Sequence, residues 1–129
     1  MRLLICGAVL AATILGASGA RAQSLTEDNF QLRTTGDLVA LCGAQETHSL
    51  YTAAQNFCHG FAVGTYRTLV EMQAGLRSRR KLFCMTEPAP TRTAAIAAFL
   101  QWTASHNEVL TLEPTDAVLQ FLTQQYPCK

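Results

Sequence analysis

The sequence predicts an all-α domain: four main helices in a small bundle, stapled by two disulfides, following a cleaved export signal. Three observations carry this. Apolar residues recur at steps of three and four, and no sustained period-two alternation marks a strand. Helix caps and breakers fall between the periodic segments. Finally, four cysteines remain once the apolar N-terminal run is set aside, an even number in a small exported chain.

The N-terminus comes first because it sets the compartment. Arg2 provides a short basic start, "LLICGAVLAATILGASGA" (3–20) is apolar and small, and "ARA" (20–22) ends in the small-x-small pattern of a signal-peptidase site. Residues 1–22 therefore read as a Sec-type signal peptide cut before Gln23. The rival reading is an uncleaved anchor, since the run lies near the lower limit for a membrane span. Its Ala and Gly content and its A-x-A end favour cleavage, so no membrane contact is expected afterwards. Cys6 lacks a surrounding lipobox, which argues against lipidation.

The mature chain of about 107 residues suffices for one domain with one core. Removing Arg2 and Arg21 from the 10 basic residues leaves 8 against 9 acidic ones. A net charge near −1 gives no reason to expect nucleic acid as a partner. The remaining cysteines are Cys42, Cys58, Cys84 and Cys128. Three connectivities are possible, and the pairing of sequence neighbours, Cys42–Cys58 and Cys84–Cys128, is favoured. The second bridge would close a loop of about 45 residues and stabilise by about 3–4 kcal/mol in the chain-entropy account.

Residues 23–33 are polar and read as a loose leader to a single domain over 34–129. Thr34 and Asp37 form a capping box, with Asp in the Glu role, ahead of a short helix through "DLVALC" that Gly43 ends. The longest helix is predicted from about Ser49 to Arg77, with Leu50, Ala54, Phe57, Phe61, Ala62, Tyr66, Leu69 and Val70 inward. "TEPAP" (86–90) breaks the chain. Thr91 or Thr93 then caps a third helix, "AAIAAFLQWTASH", which turns Ile96, Phe99, Leu100 and Trp102 to the core. Pro114 suits the first turn of a fourth, with Ala117, Val118, Phe121 and Leu122 as its stripe, and Pro127 stops it.

Few residues carry the marks of chemistry. Cys58 and His59 are neighbours on a helix, so their side chains diverge by about 100° and cannot form a nucleophile–base pair. His48, His59 and His106 are scattered, with no ligand spacing for a metal. No G-x-S-x-G occurs, and no pair among Glu71, Glu87, Glu108, Glu113 and Asp116 stands out. No cofactor and no catalytic residue is assigned. Gly60 and Gly64 destabilise a helix interior by roughly 1 kcal/mol each relative to Ala, and their spacing is expected to admit a neighbouring helix beside the crosslink. "RSRRK" (77–81) is the sole charge cluster. Placed at a helix C-terminus it suits the dipole, while Arg79, Arg80 and Lys81 are also the candidate docking residues for an acidic partner surface.

The order "DLVALC" (37–42), "FCHGFAVG" (57–64), "LFC" (82–84), a Pro-containing loop, an amphipathic helix and a terminal "YPC" (126–128) resembles the Tai/Rap-like immunity proteins of bacterial type VI secretion. One departure is "SHNEVL" (105–110), where a typical member would have a proline near Asn107. The resemblance implies a small helical periplasmic protein that binds a cognate effector, often a cell-wall amidase, and blocks it. Several members act as dimers, so a homodimer is also an expectation. Cys42, Cys58, Gly60, Gly64, Cys84 and Cys128 match as scaffold, not as toxin contacts. The loops "GAQETHS" (43–49) and "TEPAPTR" (86–92) are further candidates for occluding a partner. The alternative function is a small periplasmic structural or acid-stress protective protein with no toxin partner.

Overall fold

A computed structural model describes residues 24–129; the expected signal peptide (1–22) and Cys6 lie outside the described residues. Four helices form, with no strand among the described residues: α1 (Thr35–Cys42), α2 (Tyr51–Met72), α3 (Arg92–Ala104) and α4 (Pro114–Gln125). Short 3₁₀ turns occupy Glu27–Gln31, Ser78–Arg80 and Asn107–Thr111.

Local chemistry explains most boundaries. The hydroxyl of Thr34 accepts from the Asp37 amide and the Asp37 carboxylate accepts from the Thr34 amide, which closes the predicted capping box. Thr91, rather than Thr93, caps α3 by accepting from the Ala94 amide. Pro114 sits in the first turn of α4, where its missing N–H has no intrahelical partner to lose.

Burial follows the predicted stripes. Phe99, Trp102, Ala117, Phe121 and Leu122 are buried with Cys58, Leu69 and Phe83 in the main core. Phe121 meets Phe99 edge to face at 5.5 Å between ring centroids, with Trp102 at 5.7 Å and Tyr126 at 6.2 Å. Such aromatic contacts add stabilisation beyond their buried area. Thr35 ties α1 to the segment before α4: its amide and hydroxyl both donate to the Leu112 carbonyl, at 2.8 and 2.9 Å. Both favoured disulfides are present, Cys42–Cys58 joining α1 to α2 and Cys84–Cys128 joining the 81–85 segment to the chain's end.

Three expectations are corrected. The leader is not loose: Leu25 is buried with Leu41 and Ala54 in a second small core, and Phe30 stacks edge-on against Phe57 at 5.6 Å. Asn29 pins it, donating to the Asp37 carboxylate at 2.8 Å. Helix α2 ends at Met72, not Arg77, because Gln73 leaves helical geometry and Gly75 takes a left-handed φ of 74°. Thus "RSRRK" does not sit in the last turn of α2 but in and around the one-turn 3₁₀ segment Ser78–Arg80, and the argument from the dipole of the long helix falls. Lastly, a Cβ built at Gly60 or Gly64 would meet nothing within 4 Å. Both glycines lie on the exposed side of α2, so no helix among the described residues uses the room they leave. Where a proline was expected near Asn107, the chain makes the 3₁₀ turn Asn107–Thr111, which buries Val109.

Candidate partner-binding face

The stretch after α2 gathers most of the unusual surface. From Ala74 to Lys81 the chain leaves the bundle as a loop and returns at Leu82. Gln73, itself buried, closes the neck. Its side-chain amide donates to the Phe83 carbonyl at 3.0 Å, and its oxygen accepts from the Leu82 amide at 2.9 Å. Phe83 is 1% exposed, so the returning segment is anchored in the core beside Tyr66. Cys84 is held twice, by its disulfide to Cys128 and by an amide hydrogen bond to the Tyr126 carbonyl at 2.7 Å. Within the loop, the Arg80 and Lys81 amides donate to the carbonyls of Arg77 and Ser78 at 2.8 and 3.1 Å.

On this frame sit Arg77, Arg79, Arg80 and Lys81, all exposed. Interleaved with them are Met72, 69% exposed, Leu82 at 47% and Leu76 at 39%. Large apolar side chains at that exposure beside a cation run in the sequence make this stretch the candidate face, since Met and Arg are both enriched at protein interfaces. The cation run in the sequence singles out Arg79, Arg80 and Lys81; it gives no sign of Met72, Leu76, Leu82 or the Gln73 clamp. Gly75 was the available signal, because a glycine at that position ends a helix and exposes the residues beyond it.

The other candidate loops have different settings. Residues 43–49 are mostly exposed and join α1 to α2, and the amide of Gln55 ties them down by donating to the Cys42 carbonyl at 3.1 Å. Residues 86–92 border an apolar cavity of about 250 Å³ between α2, α3 and α4, with Phe61, Tyr66, Ile96 and Phe99 among its walls and Arg92 as its one cation.

The residues weighed for catalysis have structural settings. Cys58 is consumed in its disulfide and fully buried, so it offers no thiolate to the neighbouring His59. His106 stacks on the Trp102 ring at 4.6 Å, with its Nδ1 2.8 Å from the Trp102 carbonyl, a packing role. Among the described residues no three His, Cys, Asp or Glu side chains gather to hold a metal ion. One carboxyl stands out electrostatically. Burial pushes Asp37 up, but hydrogen bonds from Asn29, Thr34 and the Arg33 amide outweigh it and hold the group below its ordinary value. Its partners are all local, so the shift belongs to the capping box.

A family profile of the Rap1a immunity proteins matches residues 34–128. The chain belongs to that family. Searches of curated proteins and of solved structures gave no significant match. The Rap1a match spans all four helices and both disulfides, and so includes the clamped loop. Rap1a membership associates the chain with immunity to type VI effectors and with binding a cognate effector; the disulfides are compatible with a periplasmic location. No helix among the described residues is long and apolar enough to cross a membrane.

Proposed function

We propose that this chain is exported through a signal peptide at residues 1–22 and acts in the periplasm as an immunity protein that binds and sterically inhibits a type VI effector. A peptidoglycan amidase is the effector class this reading favours. The observation that carries it is the Rap1a match over 34–128, on a domain whose two disulfides suit an oxidising compartment. Inhibition then acts by occupying the effector's surface, with Arg79, Arg80 and Lys81 among the contacts.

Co-purification tests it. The mature chain, produced in the periplasm, is expected to retain the effector encoded beside its gene and to suppress that enzyme's cell-wall hydrolysis at equimolar ratio. Hydrolysis undiminished by a tenfold excess of correctly disulfide-bonded chain would refute it.

A further inference from the structure

We infer that the loop from Met72 to Leu82 is a two-part docking face whose partner surface is an apolar depression ringed by carboxylates. The inference rests on the immunity reading, and the partner is the effector.

The composition of the loop sets the partner's chemistry. Met72, Leu76 and Leu82 supply exposed apolar area, and Arg77, Arg79, Arg80 and Lys81 place four exposed cations in the same loop of a chain otherwise rich in acid. Apolar contacts that lose water on docking slow dissociation, whereas rim charges mainly accelerate encounter. A second copy of this chain does not suit the face. A two-fold contact sets a patch against itself, and four cations would then oppose four. The complementary partner is therefore acidic.

The frame makes the loop a prepared surface rather than a tether. Gln73 fastens its neck with hydrogen bonds of 2.9 and 3.0 Å, Phe83 anchors the return, and Cys84–Cys128 locks the next residue to the C-terminus. The Ser78 hydroxyl donates to the Lys129 carbonyl at 3.5 Å, a further tie to the same end. A loop held in its bound shape loses less conformational freedom on binding.

The two parts have separate kinetic signatures. Binding of the mature, disulfide-bonded chain to the effector encoded beside its gene is followed by surface plasmon resonance at several salt concentrations. The triple variant Arg79→Glu, Arg80→Glu, Lys81→Glu is expected to slow association about tenfold or more at low salt and to flatten its salt dependence. Met72→Ala with Leu82→Ala is expected to speed dissociation about tenfold while association holds. Both variants change exposed side chains, and unaltered thermal unfolding confirms that the fold persists. An unchanged association rate in the first, or an unchanged dissociation rate in the second, overturns the proposal. So does self-association, or capture by anionic phospholipid vesicles, that the charge reversal abolishes. If the unaltered chain fails to bind the effector at all, the immunity reading itself falls.

Discussion

Asp37 organises the N-terminal third of the domain through four donors. Its carboxylate accepts from the Asn29 amide group at 2.8 Å, the Arg33 amide at 2.9 Å, the Thr34 amide at 3.0 Å and the Thr34 hydroxyl at 3.3 Å. Because its folded pKa lies below the ordinary 3.8, ionisation favours the folded state. The stabilisation is complete above about pH 5, well clear of the unfolded value, and is lost as pH falls through the lower folded value. Asp37→Asn should therefore flatten the acid limb of a stability–pH profile measured by urea unfolding. At neutral pH, Asp37→Ala should destabilise by about 1–2 kcal/mol, the usual range for a lost cap. Gly60 and Gly64 predict the opposite sign. With open space where a Cβ would stand, Gly60→Ala and Gly64→Ala should each raise stability by roughly 0.5–1 kcal/mol. A lower melting temperature in either would show that the helix face is covered by something in solution. In the aromatic cluster, Phe121→Ala should destabilise by about 3–5 kcal/mol, since three rings would lose their common neighbour.

At the scale of elements, legibility followed the range of the interactions. The capping box at Thr34, the Thr cap of α3 and Pro114 in α4 are short-range devices, and each is visible in a few residues. The leader and the end of α2 were not legible, because distant groups decide them. Asn29 is polar in sequence yet buried by an aspartate eight residues on. Gln73 is ordinary as a helix residue, and its role appears only when Leu82 and Phe83 return to it. The candidate face was half legible for the same reason. A cation run is conspicuous in any sequence, whereas nothing in the sequence marks Met72 and Leu82 as exposed neighbours of that run until the helix is seen to stop at Met72. The clamp yields its own test. Gln73→Ala should leave the melting temperature little lowered relative to a core deletion, yet make the Leu82 and Phe83 amides exchange faster in hydrogen-exchange measurements. Unchanged protection there would show that the loop neck is held by other contacts. Removing the Cys84–Cys128 bridge, which spans 44 residues, should destabilise by about 4 kcal/mol in denaturant titrations under the chain-entropy account.

For the whole molecule, two small cores meet at α1, and Cys42–Cys58 fastens the helix they share to α2. A domain stapled this way suits a protein that must present a fixed surface outside the cytoplasm. Dye binding on acidification separates immunity from acid-stress protection, which requires apolar surface to be released at low pH. The mature chain should bind no more of a hydrophobic dye at pH 4.5 than at pH 7, since the Asp37 carboxylate that holds the capping box lies below its ordinary 3.8 and is still ionised there. The most direct test of the central claim is protection of living cells. The effector encoded beside this gene is directed to the periplasm, with and without the exported chain, and lysis is followed. The account predicts that lysis is abolished by the chain and largely restored by the Arg79, Arg80, Lys81 charge reversal. Equal lysis with and without the unaltered chain would contradict it.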